Sequence, residues 1–124
     1  MRFLVEEYLT EMAALRKERT GLPINIWIDE FGAKRNAPHF LPRVKIQSSI
    51  GNDMSNLASV SISEHPMIIR GVENIRLSGK DLQKVIAYIR ENYKLFLKVW
   101  NDEIDFDELK QALADKGMYK LNKD

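Results

Sequence analysis

Apolar side chains recur at helical spacing through the first twenty residues of the chain. They lie three or four positions apart, on one face of a predicted helix, at Leu4, Tyr8, Met12 and Leu15. Acidic residues precede basic residues along this stretch, an order that suits the dipole of a helix. Gly21 and Pro23 follow and end such a helix. The pattern therefore predicts an amphipathic N-terminal helix over residues 1–20.

The pattern changes after Pro23 to an alternation of apolar and polar residues, which is typical of β-strands. Three stretches show this alternation, at residues 24–28, 39–47 and 57–63, and a short apolar patch follows at 67–69. Pro42 lacks an amide donor, so the second of these strands starts late or lies at a sheet edge. We expect an antiparallel sheet of three to four strands, whose first two strands form a hairpin with a long basic tip.

The last third of the chain carries an apolar stripe at helical spacing. Its members are Leu82, Val85, Ile86, Ile89, Tyr93, Phe96, Leu97 and Trp100. Ser78 precedes Asp81 by three residues, which is the spacing of a capping box at a helix start. Asp105 and Glu108 repeat this spacing before a second, shorter stripe that ends near Gly117. The sequence predicts an α+β fold in a single domain, residues 1–124, with a long helix covering the sheet and a short C-terminal helix.

Charge and composition exclude several classes of function. Nineteen basic and eighteen acidic residues leave a net charge of +1, so nucleic-acid binding would need a local basic patch. The chain has no cysteine, which excludes disulfides, thiolate nucleophiles and cysteine-ligated zinc. No stretch approaches the ~20 apolar residues that span a bilayer, and the first residues carry acids where a signal peptide carries basic residues. We expect a cytoplasmic protein that does not enter the membrane.

The residues that could support catalysis are sparse. His39 and His65 are the two histidines of the chain, and neither has the spacing of a metal-chelating pair. The adjacent acids at residues 29–30 and 102–103 read as solvated turn residues. No nucleophile-elbow serine and no glycine-rich phosphate loop is present. We expect no cofactor, and a metal-dependent hydrolase is the weakest of the functional alternatives.

The strongest candidate for a binding surface is a basic cluster around the predicted hairpin. It consists of Trp27, Lys34, Arg35, His39, Arg43 and Lys45. Alternation along the strands places Trp27 on the same side of the sheet as Arg43 and Lys45. Arginine and tryptophan are frequent anchors of protein–protein contacts, while cations beside an aromatic ring also suit a nucleic-acid backbone and a stacked base. A solvated face without a partner is the third interpretation of the same residues.

Short motifs in the chain match those of a known family. A Pro-His-Phe segment opens the second predicted strand, and a glycine, two leucines and a tryptophan recur further on, at Pro38, His39, Phe40, Gly71, Leu77, Leu97 and Trp100. In these positions, residues 24–113 resemble a small bacterial family called domain of unknown function 4160. The family usually has a second histidine where this chain has Leu41, so a role built on two histidines is not carried over.

The resemblance implies a binding function. Genes of that family often look like neighbours of other small genes, in arrangements similar to toxin–antitoxin pairs, which implies a small protein as partner. We therefore expect a non-enzymatic interaction module that binds a protein partner through the basic cluster. The alternative is a nucleic-acid-binding protein or toxin-like nuclease that uses the same patch. The sequence leaves the oligomeric state open.

Overall fold

The computed structural model describes residues 13–29, 41–51 and 54–121. Five strands form one sheet in these ranges, in the order of the sequence, and each pairs antiparallel with the next. The strands are β1 (Ala13–Leu15), β2 (Ile26–Ile28), β3 (Arg43–Ile46), β4 (Ala58–Ser61) and β5 (Ile68–Arg70). The predicted α+β class is confirmed. The predicted number of three to four strands is wrong, because the sheet has five.

The additional strand comes from the segment that was predicted to be helical. Residues 13–15 form β1, in which Leu15 lies opposite Ile26, and the helix α1 (Lys17–Thr20) is a single turn that ends at Gly21. Leu15 is fully buried, and pairing with β2 satisfies the backbone while burying this side chain. The prediction of helix is therefore wrong for residues 13–15. Its part over residues 1–12 lies outside the described residues.

The two faces of the sheet differ in chemistry because side chains alternate along each strand. Ile26 pairs with Ile46, which pairs with Ala58, and all three are fully buried in the hydrophobic core. On the opposite face, which we call the polar face, the pairing runs from one strand to the next across all five strands. This row consists of Ala14, Trp27, Lys45, Ser59 and Arg70.

Three helices cover the apolar face of the sheet. They are α2 (Gly79–Glu91), α3 (Tyr93–Trp100) and α4 (Phe106–Asp115). Val85, Phe96 and Leu109 are fully buried and join the strand side chains in one core. The side chain of Ser78 caps α2, and Asp105 with Glu108 forms a complete capping box at α4, as predicted. These helices leave the polar face free of the main core.

The predicted single long helix is wrong, because the helix breaks at Asn92. This residue lies on the buried side of the helices, where its amide nitrogen donates to the Tyr88 carbonyl at 2.9 Å. Its oxygen accepts a hydrogen bond of 2.6 Å from Nζ of Lys116, beyond the end of α4. The Tyr88 hydroxyl donates to the Met118 carbonyl at 2.9 Å. The break therefore anchors the C-terminal segment to α2 and α3.

A buried amide pair holds the ends of β2 and β3 together. Oε1 of Gln47 accepts a hydrogen bond of 2.7 Å from the backbone nitrogen of Asn25, and its Nε2 donates to the Gly51 carbonyl at 2.9 Å. Oδ1 of Asn25 accepts from the backbone nitrogen of Lys17 at 2.7 Å. Both amide side chains are buried, so each of these bonds replaces a lost contact with water. They fix β3, which carries Arg43 and Lys45.

Gly71 fixes the position of β5 against β4. Its φ is 83°, a conformation that residues with a Cβ rarely adopt. A Cβ placed there would lie 2.9 Å from the Leu57 carbonyl oxygen and 3.0 Å from Cα of Ala58. Only glycine permits this close approach of the two backbones. The residue before it, Arg70, is thereby held in the row of the polar face.

Candidate functional site

The centre of the polar face is a hydrogen bond between adjacent strands. Nζ of Lys45 on β3 donates to Oγ of Ser59 on β4 at 2.7 Å. The two residues are directly opposed in the register, and Ser59 is only 1% exposed. Lys45 itself is partly buried. The serine thereby holds the lysine head group against the sheet.

Positive charges dominate the surroundings of Lys45. Burial, followed by the charges of Arg43 and Arg70, lowers the pKa of Lys45 to about 8. Within the described ranges, neither Lys45 nor Arg70 has a carboxylate within ion-pair distance. Like charges at this spacing disfavour the protonated form of Lys45 in the folded state, because each cation raises the free energy of the others. Such a cluster favours the binding of an anionic group.

Arg43 is positioned by a helix as well as by its strand. Its guanidinium carbon lies 5.7 Å from the centre of the Trp100 ring at the end of α3, within the range of cation–π contacts. Its NH1 also donates to the Leu41 carbonyl at 3.3 Å. Trp100 is almost fully buried. The arginine that begins β3 is therefore tied to the helical layer.

Trp27 does not offer a surface for contacts. The residue lies on the polar face, opposite Lys45 in the register, but only 6% of it is exposed. It is not part of the main hydrophobic core, which is consistent with its position on the other face of the sheet. This differs from the predicted role of Trp27 as a contact residue beside the cations. With this little exposure, its indole is closed to an aromatic or nucleobase partner.

The structure brings together only part of the predicted surface. Arg43 and Lys45 alternate onto the same face of β3, as predicted, and the charge of Arg43 contributes to the lowered pKa of Lys45. Lys34, Arg35 and His39 lie outside the described residues, so their part in the surface stays a prediction. Sequence reasoning missed Arg70 and Ser59, which complete the row. The alternation within residues 57–63 already places Ser59 opposite the apolar face, whereas the register of Arg70 depends on an irregularity in β5.

That irregularity is a bulge at the edge of the sheet. Arg70 pairs with Ser59, but Ile68 pairs with Val60, so Ile69 has no directly opposed partner in β4. Ile69 is 40% exposed, and Met67 and Val72 on either side are more exposed still, at 65% and 63%. Solvent-exposed apolar side chains thus lie beside the row of the polar face.

Other sites of chemistry are not supported by the described residues. Among residues 13–29, 41–51 and 54–121, no three His, Cys, Asp or Glu side chains come together in a way that could hold a metal ion. Asp29 is buried, which differs from the predicted solvated turn, whereas Asp102 and Glu103 are exposed as expected. In the same ranges, no helix combines the length and the apolar character that crossing a membrane requires.

No protein-family model matches the chain, and no curated protein or solved structure matches it either. The resemblance to domain of unknown function 4160 therefore stays a prediction from short motifs. A functional proposal has to start from the chemistry of the polar face.

Proposed function

We propose that this chain is a small interaction module that binds an acidic protein partner through its polar face. The observation that carries the proposal is that Lys45 on β3 and Arg70 on β5 lie in one row of the polar face, and that the charges of Arg43 and Arg70 both act on Lys45. Burial of Lys45, followed by the charges of Arg43 and Arg70, lowers its pKa, so the protonated lysine is disfavoured in the folded chain. Carboxylates from a partner would offset the repulsion among these cations and stabilise the protonated lysine, which favours binding of an acidic partner.

A protein partner accounts for the patch better than a nucleic acid. Base recognition on a sheet relies on exposed aromatic rings, and Trp27, the aromatic residue of the polar face row, is closed to stacking. The net charge of +1 also gives no long-range attraction to phosphate. The predicted resemblance to domain of unknown function 4160, whose genes often look like neighbours of other small genes in arrangements similar to toxin–antitoxin pairs, would imply the same kind of partner.

The proposal can be tested with a defined acidic probe. A fluorescently labelled oligoglutamate peptide should bind the wild-type chain, and the double variant Lys45→Glu, Arg70→Glu should lose this binding. The matched control is Lys84→Glu, Arg90→Glu, which changes the net charge equally at two exposed positions of α2. Loss of binding in the first variant and its retention in the control supports the polar face as the site.

Two results would overturn the proposal. Equal loss in both double variants would mean that the probe responds only to net charge. Stronger binding of a single-stranded oligonucleotide than of oligoglutamate, with a steep loss as salt rises, would assign the patch to nucleic acid instead. Circular dichroism of each variant shows whether the fold is kept, so a folding defect is not mistaken for a lost contact.

A further inference from the structure

Strand β5 lies at the edge of the sheet, beside the cations of the polar face, and pairs with one described strand. Strand β5 (Ile68–Arg70) is last in the order of the sheet and pairs with β4 on one side. Among the described residues, no strand pairs with its other side. The backbone groups on such an edge can accept an added strand through main-chain hydrogen bonds.

The side chains at this edge are apolar and exposed. Met67, Ile69 and Val72 each present a large part of their surface to solvent, within six residues of chain. Grouped exposed apolar side chains are typical of contact sites, whereas scattered ones are ordinary. An added strand would cover these residues while its backbone pairs with β5.

The charge of the edge determines the chemistry of its partner. The row of the polar face ends at Arg70, so the next strand would place a side chain directly beside this guanidinium. A carboxylate at that position would pair with Arg70 and face the charge of Lys45. A second copy of this chain would instead bring its own Arg43, Lys45 and Arg70 to the same face, where like charges repel.

We propose that the acidic partner binds by adding an extended segment of alternating acidic and apolar residues to the edge of β5 with which no described strand pairs. This inference rests on the proposed function and specifies its geometry. The acidic side chains of the segment lie on the polar face beside Arg70, and its apolar side chains contact Ile69 and its exposed neighbours.

The test uses the full chain and two synthetic peptides of alternating glutamate and valine. One peptide has a natural backbone, and the other carries N-methyl groups on alternate amides, which removes the donors along one edge. We expect the natural peptide to bind about tenfold more tightly than the methylated one. The variant Arg70→Glu should lose its affinity for the peptide of alternating glutamate and valine. It should gain affinity for a matched peptide of alternating lysine and valine.

The outcomes separate this inference from the proposed function. If both peptides bind equally and Arg70→Glu still weakens them, strand addition is wrong while the acidic partner on the polar face stands. If neither peptide binds and oligoglutamate also fails to bind, the proposed function itself is wrong. Peptide-induced dimers of the chain in light scattering would instead show that the edge pairs with a second copy, which also overturns the inference.

Discussion

Lys45 and Ser59 face each other across β3 and β4, and the lysine ammonium donates a 2.7 Å hydrogen bond to the serine hydroxyl. A neutral hydroxyl orients the ammonium group but does not neutralise it. Burial of the group, together with the smaller effect of the neighbouring charges of Arg43 and Arg70, lowers the pKa of Lys45 to about 8. The pair therefore holds the ammonium group in place, where a carboxylate of the proposed partner would pair with it.

The lowered pKa predicts that binding depends on pH. Raising the pH from about 7 to about 9 deprotonates Lys45 while the carboxylates of an acidic probe stay ionised. We expect the affinity for oligoglutamate to fall about fivefold over this range. The matched variant Lys45→Arg keeps its charge over this pH range, so its affinity for oligoglutamate should change much less with pH. Equal profiles for the two proteins, measured by fluorescence anisotropy, would contradict a role for the lysine charge.

The same pKa predicts the pH dependence of stability. The folded chain releases the Lys45 proton near pH 8, whereas the unfolded chain keeps it until about pH 10.5, so the unfolded state binds more protons between these values. The contribution of Lys45 to the free energy of unfolding therefore rises with pH across this window. We expect Lys45→Met to stabilise the fold by about 1 kcal/mol at neutral pH, after allowance for solvent screening, and less as pH rises.

Urea denaturation at several pH values measures this effect. The chain that keeps Lys45 and the Lys45→Met variant should both carry Ser59→Ala, so that neither has the hydrogen bond between residues 45 and 59. Tyr88 acts in the opposite direction, because burial, with a smaller effect of Tyr119, raises its pKa and stability falls once the unfolded tyrosine ionises. The comparison is therefore made below about pH 9.5. A stability difference that does not change with pH would contradict the assignment to the Lys45 proton.

Gly71 provides a test of the structure that holds Arg70 in place. We expect Gly71→Ala to lower the free energy of unfolding by about 3 kcal/mol, because it adds backbone strain and a contact of 2.9 Å with the Leu57 carbonyl. Gly21→Ala has a similar φ but an open surrounding and should cost about 1 kcal/mol. Thermal and urea unfolding measure both. Equal losses would mean that β5 does not lie as close to β4 as described.

Gln47 provides a test of the buried amide pair. Replacement by leucine leaves the backbone nitrogen of Asn25 and the Gly51 carbonyl without their side-chain partner, so we expect a loss of about 2 kcal/mol. The matched control Gln83→Leu changes an exposed position of α2 and should shift stability by less than about 0.5 kcal/mol. A loss at Gln47 no larger than the control would show that the amide contributes little to the fold.

The central strands were predictable from sequence because their pattern has one interpretation. Alternation in residues 24–28, 39–47 and 57–63 corresponds to β2, β3 and β4, with shorter bounds. The helix starts at Ser78 and Asp105 were also predicted correctly, since capping side chains act within one turn of chain. These patterns depend on residues that are close together in the sequence, so contacts with distant parts of the chain did not change the predicted structure.

The errors arose where distant contacts decide the structure. Leu15 fits a helical stripe, yet its pairing with β2 makes it a strand residue. Asn92 occupies a buried helical position, and its polarity in an apolar stripe was the available sign of the break. Alternation placed Trp27 on the correct face but carries no information on what covers it. The position of Arg70 in the row of the polar face depends on a bulge, which shifts the register that simple alternation assumes.

The most direct measurement for the acidic-partner proposal is the mapping of oligoglutamate binding by nuclear magnetic resonance. Titration of isotope-labelled protein should shift amide signals in β3, β4 and β5, together with the side-chain signals of Lys45 and Arg70. Signals of the outward residues of α2 and α4 should stay in place. Shifts concentrated on those helices, with the strands unchanged, would contradict the account that the polar face binds the partner.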